Sequence, residues 1–369
     1  MEKKSYSVEI GGKNLTAEFT NLTDQASGSV LLKMGETVIL VTAVMGEEEK
    51  VGMPYFPLSV EFEEKYYAAG QILGSRFQRR EGRPSDEAVL SARIVDRTIR
   101  PLFDHSIRFD VQVVVSVLAM GEDDPDTLGV IGASLALGVS DIPWAGPVGA
   151  VRIGKRNDTD EIVINPTYLE REEGVLSYEV LACGKDGNVN MIETAGFEIS
   201  EDTVVEALAK SVDINTQLEA WQKEIIADVG KEKRVLVSNE VPEEMQSLFD
   251  REVKPKISEV LFSNRSGKRH LYALKKEWLT LLKETVSDAP VGLAEDLFEH
   301  ALDEELHRGA IEDGKRADGR GMSQVRKLYA QAGGVSPALH GSGIFYRGET
   351  HIFTALTLGG PDDSQIIDT

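Results

Sequence analysis

Cysteine is nearly absent from this 369-residue chain: Cys183 stands alone, so no internal disulfide can form, and burial and hydrogen bonding must hold the fold, as in a reducing compartment. Long apolar runs are lacking too. The longest, such as residues 111–120, reach about half of the roughly 20 residues that a membrane span needs, and the start Met-Glu-Lys-Lys-Ser-Tyr has no signal-peptide core. These absences predict a cytoplasmic protein with no membrane partner. Positive charge is scarce, with 40 Lys and Arg against 62 Asp and Glu and a net charge of −22. That balance excludes coating of nucleic acid or anionic membrane through bulk charge, but not a local basic site. No Walker-type loop or dinucleotide fingerprint occurs, and the six His show no metal-ligand spacing. The acidic run 121–126 lacks the alternation of a calcium loop and reads as a solvated turn before a helix. Cys183, in an apolar strand with no His nearby in sequence, reads as structural rather than nucleophilic.

What is present is ordinary globular chemistry, 41% apolar and 28% charged, at a length that predicts two or three domains. Residues 6–10, 14–19, 37–44 and 111–117 are rich in β-formers between turns, and strand texture returns at 148–153, 161–164 and 175–192. Two helices interrupt them. One has Ser85 as N-cap, Asp86 and Glu87 in its first turn and Pro101 as its stop; the other spans about 126–137, with Gly129 and Gly132 permitting close packing. The class is α+β. From about residue 200 to 308 the texture becomes helical, with Trp221, Leu248, Phe249, Leu274, Trp278, Leu282, Leu297 and Leu302 among charged residues. A polar stretch at 312–320 reads as an exposed linker.

An internal repeat organises these parts. Residues 28–46 align without a gap on 341–359 with seven identities, including Gly-Glu-Thr and both outer glycines, so the same hairpin is expected twice. A long α+β stretch follows the first copy and ten residues follow the second, so the chain reads as the amino-terminal part of a longer protein. Apolar strand faces at Ile344, Phe345, Ile352 and Phe353 are expected to lie uncovered.

The strongest local feature is basic. Between Arg76 and Arg108 there are eight Arg, no Lys and five acids. Phe77 beside Arg79, Arg80 and Arg83 combines a stacking surface with guanidinium groups suited to phosphate, which predicts a contact for single-stranded nucleic acid, the alternative being ion pairs with the chain's surplus acids at a domain or subunit interface. Arg76 and the helical Arg93, Arg97 and Arg100 are weaker candidates, either for RNA or phosphate or for ion pairs at an interface.

Over nearly its whole length the chain resembles the bacterial polynucleotide phosphorylase family. The resemblance rests on Phe-Pro-Leu-Ser-Val at 56–60, Tyr-Ala-Ala-Gly at 67–70, Phe-Gln-Arg-Arg-Glu-Gly-Arg-Pro-Ser at 77–85, Asp-Arg-Thr-Ile-Arg-Pro-Leu-Phe at 96–103, Ile-Gly-Ala-Ser at 131–134, Arg-Ala-Asp-Gly-Arg at 316–320 and Arg-Gly-Glu-Thr at 347–350. It implies a ribonuclease PH-like domain at 1–215, an all-helical domain at 216–310, and a linker with the truncated start of a second ribonuclease PH-like domain at 311–369. It further implies a magnesium-dependent 3′-to-5′ exoribonuclease that degrades single-stranded RNA with inorganic phosphate as co-substrate, releasing nucleoside diphosphates. A homotrimer and partners in RNA-degradation machinery are also implied. Phe77, Arg79 and Arg80 match the family's loop at the ring constriction, with Gln78 where a second aromatic often stands. The family's catalytic and magnesium-binding aspartates belong to the second unit, expected beyond Thr369. Their counterparts in the first unit are Ser177 and Glu179, with Leu181 at the family's lysine, so no catalytic or metal-binding residue is assigned within the chain. The alternatives are a noncatalytic RNA-binding or scaffold chain and a hydrolytic exoribonuclease of the same superfamily.

Overall fold

The computed structural model describes residues 3–50, 53, 55–72, 83–172, 174–236, 241–265, 267–286 and 289–364. It divides into two compact units, Met1–Ser238 and Asn239–Thr369.

In the first unit, β-branched and aromatic residues at alternate positions build β1 (Lys3–Ile10), β2 (Lys13–Thr20), β3 (Gly28–Met34), β4 (Thr37–Glu49) and β5 (Leu58–Glu63). Helix α1 (Asp86–Ile99) follows, then β6 (Phe109–Ala119) and helix α2 (Pro125–Val139). The strand order is β1-β2-β3-β4-β6-β5, antiparallel except for the β5–β6 pair. A second sheet, in the order β10-β9-β7-β8, comprises β7 (Gly149–Arg156), β8 (Ile162–Ile164), β9 (Leu176–Lys185) and β10 (Asn188–Gly196). Helix α2 is apolar nearly all round, as a helix packed on every side must be. It touches β3 and β4 of the first sheet and β7 of the second. Gly132 makes this approach possible, because a Cβ there would fall 2.5 Å from Cγ2 of Val41. The close packing expected of these glycines is therefore present.

Helix α3 (Glu201–Val229) begins at Ser200, whose side chain accepts from Thr203 N, and runs along β7 and β9. The boundary expected after residue 215 falls inside this helix. Leu218, Trp221 and Ile225 are buried in the first unit's core, and Gln222 Nε2 donates to Val148 O at 2.7 Å. Trp221 thus packs with the sheets, although its charged neighbours give it the texture of the helical region. Beyond α3, Lys233 Nζ donates to the carbonyls of Leu137, Gly138 and Ser140, satisfying the C-terminal end of α2.

The second unit contains α4 (Glu243–Glu252), α5 (Lys254–Leu261), α6 (Arg269–Thr285) and α7 (Val291–Ile311) around Met245, Phe249, Leu274, Trp278, Leu282 and Phe298. Trp278 is fully buried because its indole N–H reaches Ala294 O at 2.9 Å and Phe249 meets its ring edge-on at 5.1 Å. The unit also holds a sheet of β11 (Leu328–Ala332), β12 (Gly341–Arg347) and β13 (Thr350–Leu356), in that order.

The two copies of the repeat are β3–β4 and β12–β13. Met34 pairs with Thr37 and Arg347 with Thr350, and the outer pairs Gly28↔Ala43 and Gly341↔Leu356 also correspond, so the registers are identical. Gly35 and Gly348 open the two-residue turns at φ +55° and +62°, the left-handed region a hairpin turn of this kind requires.

Candidate nucleic-acid interface

The basic segment is positioned by α1. Ser85 Oγ accepts from Ala88 N at 3.0 Å and donates to Glu64 at 2.8 Å, fixing the start of the helix, with Asp86 and Glu87 at its positive end. Ala88, Ser91, Ile94, Val95, Thr98 and Ile99 form the buried face, packed on β5 and α2. The opposite face carries Val89, Leu90, Arg93 and Arg97, all exposed, and Arg83 is exposed just ahead of the helix. Among the described residues neither Arg93 nor Arg97 has an ion pair.

Arg100 is placed differently. It pairs with Asp96 at 2.6 Å, donates to Leu58 O at 3.0 Å and to Phe56 O at 3.4 Å, and lies 6.0 Å from the Phe56 ring centroid. Arg108 is buried and donates to His105 O at 2.6 Å. The helical arginines therefore divide into Arg93 and Arg97, open to solvent, and Arg100, which braces the entry to β5. Arg76, Phe77, Arg79 and Arg80 lie outside the described residues.

A second polar cluster, missed by sequence reasoning, lies between α2 and the second sheet. Asp124 caps α2 by accepting from Asp126 N at 2.9 Å. Its Oδ2 also accepts from Arg152 Nε at 2.7 Å and from Arg171 at 3.0 Å. Arg152, on β7, reaches Asp126 and Glu179 at 3.3 Å each, and Arg171 Nε reaches Glu179 at 2.7 Å. Burial, then the neighbouring Asp124 charge, pushes the Asp126 carboxyl up to about 6. The acidic run 121–126, expected to be a solvated turn, thus holds Asp123 and Asp124 buried. The cause is partner chemistry distant in sequence: Thr37 Oγ1 donates to Asp123 O, Lys13 pairs with its carboxylate at 2.5 Å, and the two arginines take Asp124. The only local signal was an Asp directly before a helical proline, the N-cap pattern.

Three carboxylates matched by two guanidinium groups do not fit a divalent cation. Glu179, the one acid at the positions corresponding to the family's aspartates, is held by both arginines, while Ser177 Oγ donates to Lys155 O at 3.2 Å and Leu181 is buried. Among the described residues no group of three or more His, Cys, Asp or Glu is arranged to hold a metal ion. Cys183 is fully buried in β9, and burial pushes its thiol up to about 12. No helix of the described residues is long and apolar enough to cross a membrane.

This arrangement of two sheets around α2 coincides with two family matches: the 3′ exoribonuclease family, domain 1, over residues 11–143, and domain 2 of the same family over 146–214. The chain belongs to the 3′ exoribonuclease family. In this 3′ exoribonuclease-family chain the two matched segments correspond to the two sheets, which meet across α2. The chain is 37% identical over 372 residues to a polyribonucleotide nucleotidyltransferase of Exiguobacterium sibiricum, covering 99% of this chain and 49% of that protein. It is 38% identical over 378 residues to the enzyme of the same name from Thermomicrobium roseum, covering 98% and 47%. The chain thus spans about half the length of the curated relatives it matches. The crystal structure of rice Rrp46 aligns with a TM-score of 0.44 at 14% identity, over 61% of this chain and 94% of that one.

Proposed function

We propose that this chain is the RNA-holding half of a polyribonucleotide nucleotidyltransferase, a 3′-to-5′ exoribonuclease in which inorganic phosphate attacks the terminal phosphodiester of single-stranded RNA and a nucleoside diphosphate leaves. The observation that carries the reading is the division of arginines in the first unit. Arg83, Arg93 and Arg97, which follow the aromatic-and-arginine segment 76–80 in sequence, are exposed, whereas Arg152 and Arg171 neutralise the carboxylates that another member of the fold could use for a cation. Exposed guanidinium groups in a chain of −22 have a use if they meet a polyanion. Magnesium and its carboxylates are assigned to the part of the relatives' length that this chain does not span, and the first unit is catalytically silent. The intact protein works as a cytoplasmic homotrimer, with RNA-degradation machinery as its partner.

The test is a labelled single-stranded RNA incubated with the chain, magnesium and either phosphate or buffer, with products identified. No turnover, together with salt-sensitive RNA binding, is expected. Nucleoside diphosphates formed only with phosphate would show the first unit to be active, and phosphate-independent release of monophosphates would establish hydrolysis. The double substitution Arg79→Ala with Arg80→Ala is expected to weaken RNA binding and to lower the slope of log affinity against log salt by about 1.4, two contacts at about 0.7 each. Unchanged binding would return these arginines to an interface role.

A further inference from the structure

The motif Arg-Ala-Asp-Gly-Arg at 316–320 and the arginine that opens the second Gly-Glu-Thr turn are not used by the function proposed above. In the second unit they come together. Arg316, Arg320, Arg326 and Arg347 line one open pocket of about 330 Å³ with Gln324 and Met322, and no acidic side chain faces it. Two of the four arginines are fixed by the chain around them. Arg320 donates to Gln324 O at 2.7 Å and pairs with Asp318 at 2.8 Å, and Arg316 reaches Met322 O at 3.4 Å and Asp318 at 3.9 Å. The loop is closed on itself by Gln324 N to Gly321 O at 3.0 Å and Gly321 N to Gln324 Oε1 at 3.2 Å.

The other two have no ion pair or side-chain hydrogen bond among the described residues. Arg326 lays its stem across the β12–β13 turn, where the missing Cβ of Gly348 would stand 3.0 Å from its Cδ. Arg347 is the last residue of β12, paired with Leu328 of β11, which follows Arg326 by two. Glycine at 348 therefore does two jobs: it turns the hairpin, and it leaves room for the stem of Arg326. Like charges gathered in a pocket repel one another, and here Asp318 alone offsets four of them within the motif. Such a cluster is stable when an anion of high charge density occupies it, and the planar forks of Arg match phosphate oxygens.

We infer that this pocket is a binding site for a phosphate group, supplied either by the backbone of single-stranded RNA or by free phosphate or a nucleoside diphosphate. Arg326 and Arg347 are the ligand-facing pair, and Arg316 and Arg320 are the fixed floor. The inference deepens the RNA reading and rests on it for its RNA arm alone.

The experiment compares the chain with its Arg326→Ala, Arg347→Ala double variant, using calorimetric titration with inorganic phosphate and with ADP, and anisotropy of a labelled oligoadenylate across a potassium chloride series. At least a tenfold loss of phosphate and ADP affinity is expected, at an unchanged melting temperature. If RNA binding also weakens and its salt slope falls by about 0.7, one phosphate contact on a single strand, the ligand is the RNA backbone; if RNA binding is unchanged, it is the free phosphate or diphosphate. Arg326→Lys with Arg347→Lys keeps the charge and removes the forks, so intermediate affinity is expected, and this variant decides the matter should the alanine pair fail to fold. Equal affinity of parent and variant for all three ligands, or no phosphate or ADP binding by the parent, overturns the inference. Failure of the RNA reading looks different: the parent then binds no RNA but still titrates with phosphate and ADP.

Discussion

The two copies of one hairpin share turn, register and glycines, and differ in what covers them. In the first copy Val30, Leu32, Met34, Ile39, Val41 and Ala43 are almost wholly buried beneath α2. At the matching positions of the second copy, Phe345, Ile352 and Leu356 are 42%, 54% and 51% exposed. A hairpin's local geometry is thus set by its own turn chemistry, while its stability is set by its neighbours. The energetic contrast is large, because burying an Ile or Phe side chain is worth about 1.5–3 kcal/mol.

That contrast can be broken from either side. The largest effect is expected at Ile39 and its counterpart Ile352. Ile39→Ala removes a fully buried side chain under a helix and should cost about 2–5 kcal/mol, whereas Ile352→Ala should stay within about 0.5 kcal/mol, both read by denaturant melts. Equal costs would mean that the second hairpin is covered in solution. Next comes the shared outer glycine. A Cβ at Gly28 would stand 2.1 Å from Ala136 O, so Gly28→Ala must push α2 away and should cost about 1–3 kcal/mol; at Gly341 the same Cβ meets only the Leu356 side chain, at 3.1 Å, and Gly341→Ala should be near neutral.

The smallest effect is a difference in pH response between the units. Asp126 in the first unit has its carboxyl pushed up to about 6, above its unfolded value, so its stabilising contribution is full below about pH 4 and fades as pH rises through 6. Glu305 in the second unit is held down to about 2, first by its hydrogen bond to Arg308, so its contribution is full above its ordinary value of 4.5 and fades as pH falls towards 2. Asp126→Asn should flatten the first slope, and Glu305→Gln the second, in melts followed from pH 2 to 7. A slope unchanged by its substitution would remove that carboxylate from the account.

Much of the fold was legible in sequence because its signals are local. Ser85 caps α1 as expected, the alternating strands of the first sheet follow their β-formers, and the repeat located both hairpins. The buried ion-pair cluster was not legible. Asp124, Arg152, Arg171 and Glu179 are spread over 56 positions, and only the topology that places β7 and β9 beside the start of α2 makes them neighbours. The same limit applies to the arginine pocket, whose members at 316–326 and 347 meet through the pairing of β11 with β12. Composition located the basic segment proposed to meet RNA, while the separate fates of Arg97 and Arg100 depended on Phe56 and Leu58, more than 40 residues from Arg100.

The solitary thiol gives the folded chain an internal clock. Cys183 sits in the middle of the second sheet, paired with Ala150 of β7 and Met191 of β10, and its proton is held tightly. A thiol reagent can reach it only when those strands part, so its labelling rate in the presence of excess reagent counts openings of the first unit alone. Because the second unit contributes no sulfhydryl, events there leave the count silent, and the opening of the first unit can be timed by itself within the whole chain.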